Sequence, residues 1–215
     1  MPTIFGSAKG LFGVHKQHAW RMAMTYFSKY SVPMLSAVWF VFAVAGFARM
    51  SAYSQTPAPV GTLSSQWPSQ SKIQAACGMP TFLIFMHPHC PCSDASFDVV
   101  EDQIAKHPKA KFYAVFVRPA GVEAKWEETR LYQNCKAEPR LTTLVDQEGV
   151  EAKQFGAKTS GQAFIYSATG QLVYSGGVTP GRGATWTGRE RELIENALNG
   201  ATSLQKAPVF GCSLL

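Results

Sequence analysis

Two cysteines separated by a single proline are the residues of this chain most suited to chemistry. Cys90 and Cys92 lie in the stretch HPHCPCSD, after the apolar run TFLIFMH at 81–87 and before an amphipathic pattern. A buried strand is therefore expected to end, and a helix to begin, at the thiols. A thiol at a helix N-terminus faces unpaired backbone N–H groups, which favour the nucleophilic thiolate. The pair is predicted to perform thiol–disulfide exchange, with Cys90 attacking and Cys92 resolving the mixed disulfide.

The same stretch supports a metal-binding alternative. His87 and His89 stand beside Cys90 and Cys92 within six residues. Soft thiolates with imidazole suit Cu(I) or Zn(II). One or both of these imidazoles are close enough in sequence to join the two sulfurs. The alternative function is thus a copper-binding module without catalytic activity. In a further interpretation, the histidines are polar loop residues and the cysteines are buried or belong to structural disulfides.

The pattern along the rest of the chain predicts an α/β domain over residues 62–215, joined to the N-terminus by a Ser- and Pro-rich linker at 51–61. Because the predicted elements follow the order β-α-β-α-β-β-β-α, we expect a mixed sheet covered by helices on both faces. The predicted strands are 81–87, 111–117, 142–146, 163–167 and 171–177. The predicted helices follow Cys92, span 122–137, and begin at a capping box formed by Thr187 and Glu190.

An apolar segment precedes the linker. Residues 32–48 carry no charge, and at 1.5 Å per residue this stretch spans roughly 26 Å, close to the thickness of a hydrocarbon core. We predict a transmembrane anchor at 32–50, although Ala43-Val44-Ala45 also resembles a signal-peptide cleavage site. Residues 1–31 contain four Lys or Arg and no acid. This excess predicts a cytoplasmic N-terminus, a single pass of the cytoplasmic membrane and a periplasmic C-terminal domain.

The net charge of +6 does not indicate a nucleic-acid partner. Five basic residues precede Met50 and no acid does, so the remainder holds 15 basic against 14 acidic side chains. Such a nearly neutral domain has no excess of cations to neutralise phosphates. The predicted partners are therefore the membrane, through the N-terminal helix, and proteins that carry a thiol or a disulfide.

Three further cysteines lie in the segment predicted to be exported, where disulfides persist. Cys135 is expected to pack on its helix. Cys77 and Cys212 stand near the two ends of the domain, and a structural bridge between them is one hypothesis. Three cysteines cannot all pair among themselves, so one is expected to stay free or to reach the dithiol.

Three segments together resemble the RedB-like group of thioredoxin-fold proteins: FMHPHCPCS before Asp94, residues 152–183, and the terminal PVFGCSLL. The resemblance covers about residues 62–215. It implies a thioredoxin-like domain on the outer side of the cytoplasmic membrane, with Cys90 and Cys92 in the place of the redox dithiol.

Two departures from ordinary thioredoxins qualify this resemblance. Thioredoxins keep two residues between their cysteines, whereas only Pro91 stands here. They also carry a cis-proline before the strand that faces the dithiol, and Gln162, give or take one residue, occupies that substrate-docking position. Because that proline shapes docking and excludes metal, its absence keeps open both copper binding and a non-catalytic scaffold that recognises a partner protein.

Overall fold

The structure is a computed structural model that describes residues 11–184 and 188–215. It divides into two compact units, Met1–Tyr53 and Ser54–Leu215. The N-terminal unit is built on one long helix, α1, which spans Leu11–Gln55. The helix thus starts well before the predicted anchor at 32–50 and includes most of the basic segment.

Helix α1 contains a stretch with the properties of a membrane span. Its Lys29–Gln55 segment has 27 residues and contains an 18-residue window with a mean hydropathy of 1.9, and none of its side chains is buried. Large apolar side chains such as Trp39, Phe42 and Phe47 are more than 70% exposed. Apolar surface of this extent is characteristic of contact with lipid or with another protein. The helix is long and apolar enough to cross a bilayer.

The second unit contains a mixed sheet, which in the described residues has six strands in the order β3-β2-β1-β4-β5-β6. The strands are β1 Thr81–Met86, β2 Lys111–Arg118, β3 Leu141–Gln147, β4 Gln162–Tyr166, β5 Leu172–Gly177 and β6 Gln205–Lys206. The first three strands run parallel, whereas β4 is antiparallel to β1 and to β5. The hairpin expected between β4 and β5 is present, with Gly170 at φ 79° in its turn.

Helices cover both faces of the sheet, as predicted. They are α2 Ser93–Lys106, α3 Arg130–Ala137, α4 Val150–Phe155 and α5 Arg189–Leu198. One core joins α2, α3 and α5 to inward residues of the strands, including Phe82, Ile84 and Phe116. The other joins α4 to the opposite face, where Phe85 and Phe164 lie. The β1-α2-β2 unit followed by the β4-β5 hairpin and α5 is a thioredoxin-like arrangement.

Some helix boundaries differ from the prediction. Only Arg130–Ala137 of the segment 122–137 is α-helical, because the Thr129 side chain caps the helix by accepting from the Tyr132 N–H. Helix α4 was not predicted, since six residues are too few for a periodic pattern. The Asp146 carboxylate accepts from the two N–H groups of Glu151 and Ala152 at its start. Thr187 of the expected capping box lies outside the described residues.

Residues 51–55 of the predicted linker are the end of α1, whereas residues 58–61 are bonded to the domain. The Ala58 N–H donates to the Val209 carbonyl at 2.7 Å, and the Thr159 hydroxyl donates to the Pro59 carbonyl at 3.0 Å. Gly61 lies so close to Gly156 that a Cβ on Gly61 would stand 2.6 Å from the Gly156 oxygen. The compact unit that contains the sheet spans Ser54–Leu215.

Candidate active site

Cys90 lies in the turn between β1 and α2. Its N–H donates to the His87 carbonyl at 3.1 Å, and its own carbonyl accepts from the Ser93 N–H at 3.0 Å. Cys92 is the N-cap residue of α2. The two cysteines thus stand at the strand-to-helix junction, as the sequence predicts. The Cys90 side chain is 3% exposed, and Cys92 is half-buried.

Two buried hydroxyl groups fix this turn to the loop before β4. The Ser160 hydroxyl accepts from the His87 N–H at 2.8 Å and lies 2.8 Å from the Ser93 hydroxyl. Ser93 also donates to the His87 carbonyl at 3.3 Å. This network holds the Cys90 turn and the 158–161 loop in one arrangement. Sequence reasoning missed Ser160, because nothing in its local sequence indicates which segment it contacts.

Gln162 is placed differently from the expectation. Its side chain is fully buried, and it accepts from the Lys158 N–H at 3.1 Å and donates to the Gly156 carbonyl at 3.4 Å. It therefore braces the loop from inside and offers no exposed surface on which a substrate could dock. Ser160, two residues earlier, is the loop residue that contacts the cysteine-bearing turn.

A third cysteine enters the site from the C-terminal segment. The Cys212 sulfur lies 2.8 Å from the Cys90 sulfur, so the two thiols are in direct contact. The hypothesis of a Cys77–Cys212 bridge is therefore wrong for this structure. Cys77 is exposed and precedes β1, whereas Cys90 follows β1. Because Cys212 contacts Cys90, it lies at the end of β1 that is opposite to Cys77.

Backbone pairing holds the C-terminal segment beside the loop. The Ser160 N–H donates to the Cys212 carbonyl at 2.8 Å, and the Leu214 N–H donates to the Lys158 carbonyl at 3.0 Å. The Leu214 side chain is 1% exposed. A Cβ on Gly211 would overlap the Ser160 carbonyl oxygen, so this close approach requires glycine.

The three neighbouring thiols, Cys90, Cys92 and Cys212, differ in pKa. Burial raises the pKa of Cys90, but hydrogen bonds from the Cys212 thiol, the N–H groups of Cys212 and Cys92, and the Ser93 hydroxyl outweigh it. The net effect lowers the pKa of Cys90. Cys90 is therefore the sulfur of the cluster that ionises first.

The pKa values of the other two thiols move in the opposite direction. Burial, followed by the proximity of Cys90, raises the pKa of Cys92. Burial and the hydrogen bond to Cys90 raise the pKa of Cys212 to about 12. The positive charge of Arg182 partly offsets both shifts. The guanidinium is positioned by a 2.8 Å bond to the Thr56 carbonyl, a contact that sequence reasoning did not anticipate.

The two histidines pack around Trp126. The His87 and His89 rings lie 5.0 and 4.6 Å from the Trp126 ring, centroid to centroid. His87 Nδ1 accepts from the His89 N–H at 3.1 Å, and His89 Nε2 lies 2.8 Å from the Trp126 carbonyl. Burial and the neighbouring His89 lower the pKa of His87, which favours neutral imidazole. Within the described residues, no group of three or more His, Cys, Asp or Glu is placed to hold a metal ion.

Cys135 lies apart from the three-thiol cluster, as expected. It is fully buried in the core on α3. Burial, together with the charges of Glu101 and Asp94, raises its pKa to about 12. Its thiol is thus protonated and inaccessible at neutral pH, and its role is packing.

No family model matches the chain, and no curated protein matches it. Among solved structures, an uncharacterized conserved protein from Geobacillus kaustophilus superposes with a TM-score of 0.50 at 19% identity, covering 75% of this chain and 90% of that one. A hypothetical protein from Sinorhizobium meliloti gives 0.48 at 19%, covering 75% and 97%. A secreted Mycobacterium tuberculosis disulfide oxidoreductase homologous to E. coli DsbE gives 0.42 at 19%, covering 57% and 83%. At this identity the likeness concerns the fold alone.

Proposed function

We propose that this chain is a membrane-tethered thiol–disulfide oxidoreductase whose attacking group is the Cys90 thiolate. The observation that carries the proposal is the set of donors around the Cys90 sulfur. The Cys212 thiol lies 2.8 Å away, and its N–H and that of Cys92 lower the pKa of Cys90 against the effect of burial. A thiolate stabilised in this way at a strand-to-helix turn is a nucleophile for disulfides.

The exchange proceeds in two displacements. The Cys90 thiolate attacks one sulfur of a partner disulfide; a mixed disulfide forms, and the partner's other sulfur leaves as a thiolate that takes up a proton. A second thiol of the chain then loses its proton and attacks Cys90, releasing the partner's first sulfur. Two electrons pass to the partner, and the chain ends with a disulfide. The reverse sequence oxidises a partner dithiol with the same residues.

The burial of Cys90 restricts the kind of disulfide that it can attack. With 3% of its surface exposed, its sulfur is not presented to a broad protein surface. A partner disulfide carried on an extended segment fits this constraint, because such a segment can pair with backbone groups along a loop or strand edge. The proposed substrates are therefore disulfides in flexible or incompletely folded proteins.

We place the reaction outside the cytoplasm. The apolar part of α1, Lys29–Gln55, serves as the anchor, and the basic residues before it stay on the cytoplasmic side. Disulfide exchange is useful in an exported compartment, where disulfides persist. Membership of the RedB-like group, which the cysteine motif and the C-terminal segment resemble, is part of the same proposal.

Capture of the mixed disulfide tests the proposal. The full chain in detergent, with Cys77→Ser as background, is reduced, treated with metal chelator and then exposed to oxidised glutathione. In the Cys92→Ser/Cys212→Ser variant, no neighbouring thiol remains to resolve the adduct. We expect one glutathione on Cys90, located by mass spectrometry of the tryptic peptide 73–106.

The matched control carries Cys90→Ser and keeps Cys92 and Cys212. Glutathione should be added to its peptide 73–106 much more slowly than to the peptide that carries Cys90. An unreactive Cys90 in the folded protein, with normal reaction after unfolding, would contradict the proposed function.

A further inference from the structure

We propose that Cys212, and not Cys92, is the resolving cysteine of this site, so that the oxidised chain contains a Cys90–Cys212 disulfide. This inference rests on the proposed function, since it concerns the second displacement of the same reaction. It starts from contact: the two sulfurs lie 2.8 Å apart although the residues are 122 positions apart in sequence. No local motif creates this contact.

The C-terminal segment is built to keep that thiol in place. Beside the bonds of Ser160 and Lys158 to the segment, Thr159 and Ser213 form an antiparallel bridge. Val209 and Leu214, on either side of Cys212, are each 1% exposed. The segment is thus added to the 158–160 loop like a short strand and anchored at both ends. A thiol held in this way loses little further freedom on reaction, which favours it kinetically over a mobile one.

Cys92 is less suited to the second displacement. Only one residue separates it from Cys90, and the intervening turn is already fixed by the bonds of Cys90 to His87 and Ser93. Disulfides need a limited range of Cα separations and side-chain directions, so ring closure in this turn would compete with the start of α2. Cys212 approaches Cys90 from a separate segment and requires no change in the turn.

The change in the pKa of Cys212 during the reaction also suits a resolving role. In the reduced site the Cys212 thiol donates to the Cys90 thiolate, and this bond and the charge of Cys90 help to raise the pKa of Cys212. When Cys90 is consumed in the mixed disulfide, its negative charge and the hydrogen bond are lost. Arg182 then still favours the Cys212 thiolate. The resolving thiol becomes easier to deprotonate only after the first displacement has occurred.

The second displacement balances as follows. Cys212 gives its proton to solvent or to the departing sulfur, and its sulfur attacks the Cys90 sulfur. The bond between Cys90 and the partner breaks, and the Cys90–Cys212 bond forms. The partner leaves as a thiol, so the chain has lost two electrons and the partner disulfide has gained them.

Disulfide mapping of the full chain tests the assignment. The Cys77→Ser protein in detergent is oxidised with glutathione disulfide, blocked with N-ethylmaleimide and digested with trypsin at near-neutral pH. Cleavage after Lys72, Lys106 and Lys206 leaves Cys90 and Cys92 together on peptide 73–106 and Cys212 on peptide 207–215. We expect these two peptides to be cross-linked, and the cross-link to persist in Cys92→Ser.

The Cys212→Ser and Cys212→Ala variants should leave the glutathione adduct of Cys90 at least about tenfold longer-lived than in the parent, since the positioned thiol is gone. A disulfide within peptide 73–106 and a free Cys212 would overturn the inference while leaving the proposed function intact. If Cys90 forms neither an adduct nor a disulfide, the proposed function fails as well.

Discussion

The Cys212 sulfur lies 2.8 Å from the Cys90 sulfur, and the Cys212 carbonyl accepts from the Ser160 N–H in the loop that borders the same turn. The C-terminal segment therefore completes the site. It supplies a thiol and a backbone N–H for the thiolate of Cys90, which is 3% exposed. Changes in this segment should alter the reactivity of Cys90 without touching the Cys90-Pro91-Cys92 motif.

The acidity of Cys90 should depend on Cys212. Hydrogen bonds to a thiolate lower its pKa, so the loss of the Cys212 thiol in Cys212→Ala should raise the pKa of Cys90. Each pKa unit corresponds to about a tenfold change in the thiolate fraction at pH values below the pKa. The measurement is the pH dependence of Cys90 alkylation by iodoacetamide, with Cys77→Ser as the control. An unchanged profile would show that Cys212 does not stabilise the thiolate.

Ser160 should contribute to stability through its buried hydroxyl. Ser160→Ala leaves the His87 N–H without its 2.8 Å acceptor and removes a partner of Ser93. An unpaired buried donor costs about 1–3 kcal/mol, so the midpoint of denaturant unfolding should fall accordingly. The matched control is Ser203→Ala at an exposed position, where we expect little change. Equal midpoints for the two variants would contradict the role of Ser160.

Gly211 should control the position of Cys212. In Gly211→Ala the added Cβ overlaps the Ser160 carbonyl, so the C-terminal segment must move away from the loop. The yield of the Cys90–Cys212 cross-link should then drop, although every thiol is retained. Gly181→Ala is a suitable control, because its Cβ would stand 3.7 Å from the Ala184 Cβ, an ordinary contact. A full yield of cross-link in Gly211→Ala would mean that the backbone approach is not needed.

Replacing the histidines distinguishes redox chemistry from copper binding. Copper binding stays a prediction from the sequence. Thiol–disulfide exchange needs no imidazole, so the His87→Asn/His89→Asn variant should keep the redox transition of the thiols. Asparagine at position 87 retains an acceptor for the His89 backbone N–H. A copper module would instead lose Cu(I) retention, measured as metal bound per chain after gel filtration. A lost redox transition in this variant would argue against pure dithiol chemistry.

Much of the fold follows from local sequence. The runs at 81–87 and 111–117 are apolar apart from Thr81, His87 and Lys111. They form the central strands β1, which is fully buried, and β2, which is buried except at its two end residues. Cys90 and Cys92 were located at the strand-to-helix junction for the same reason, since the change from a continuous apolar run to a helical period is visible in the sequence. These features depend on neighbours within a few residues.

The features that were missed depend on contacts between distant segments. Cys212 carries no local sign that its segment adds to the 158–160 loop, and Ser160 gains its role only from that contact. Residues 54–61 have the composition of a linker, yet Gly61 lets this stretch lie directly against Gly156. Local propensity cannot distinguish a free extended chain from one that is bonded to a remote loop.

The most direct test of the central claim, that Cys90 is the redox-active thiol of this chain, is an equilibrium thiol titration. The metal-free full chain in detergent is equilibrated across glutathione buffers, trapped with a maleimide and separated by mass, and the series is repeated with Cu(I). We predict a two-electron transition that Cys90→Ser abolishes and Cys77→Ser preserves. A Cys90 that stays reduced at every potential, and is shielded only by stoichiometric Cu(I), would contradict the account and favour copper binding.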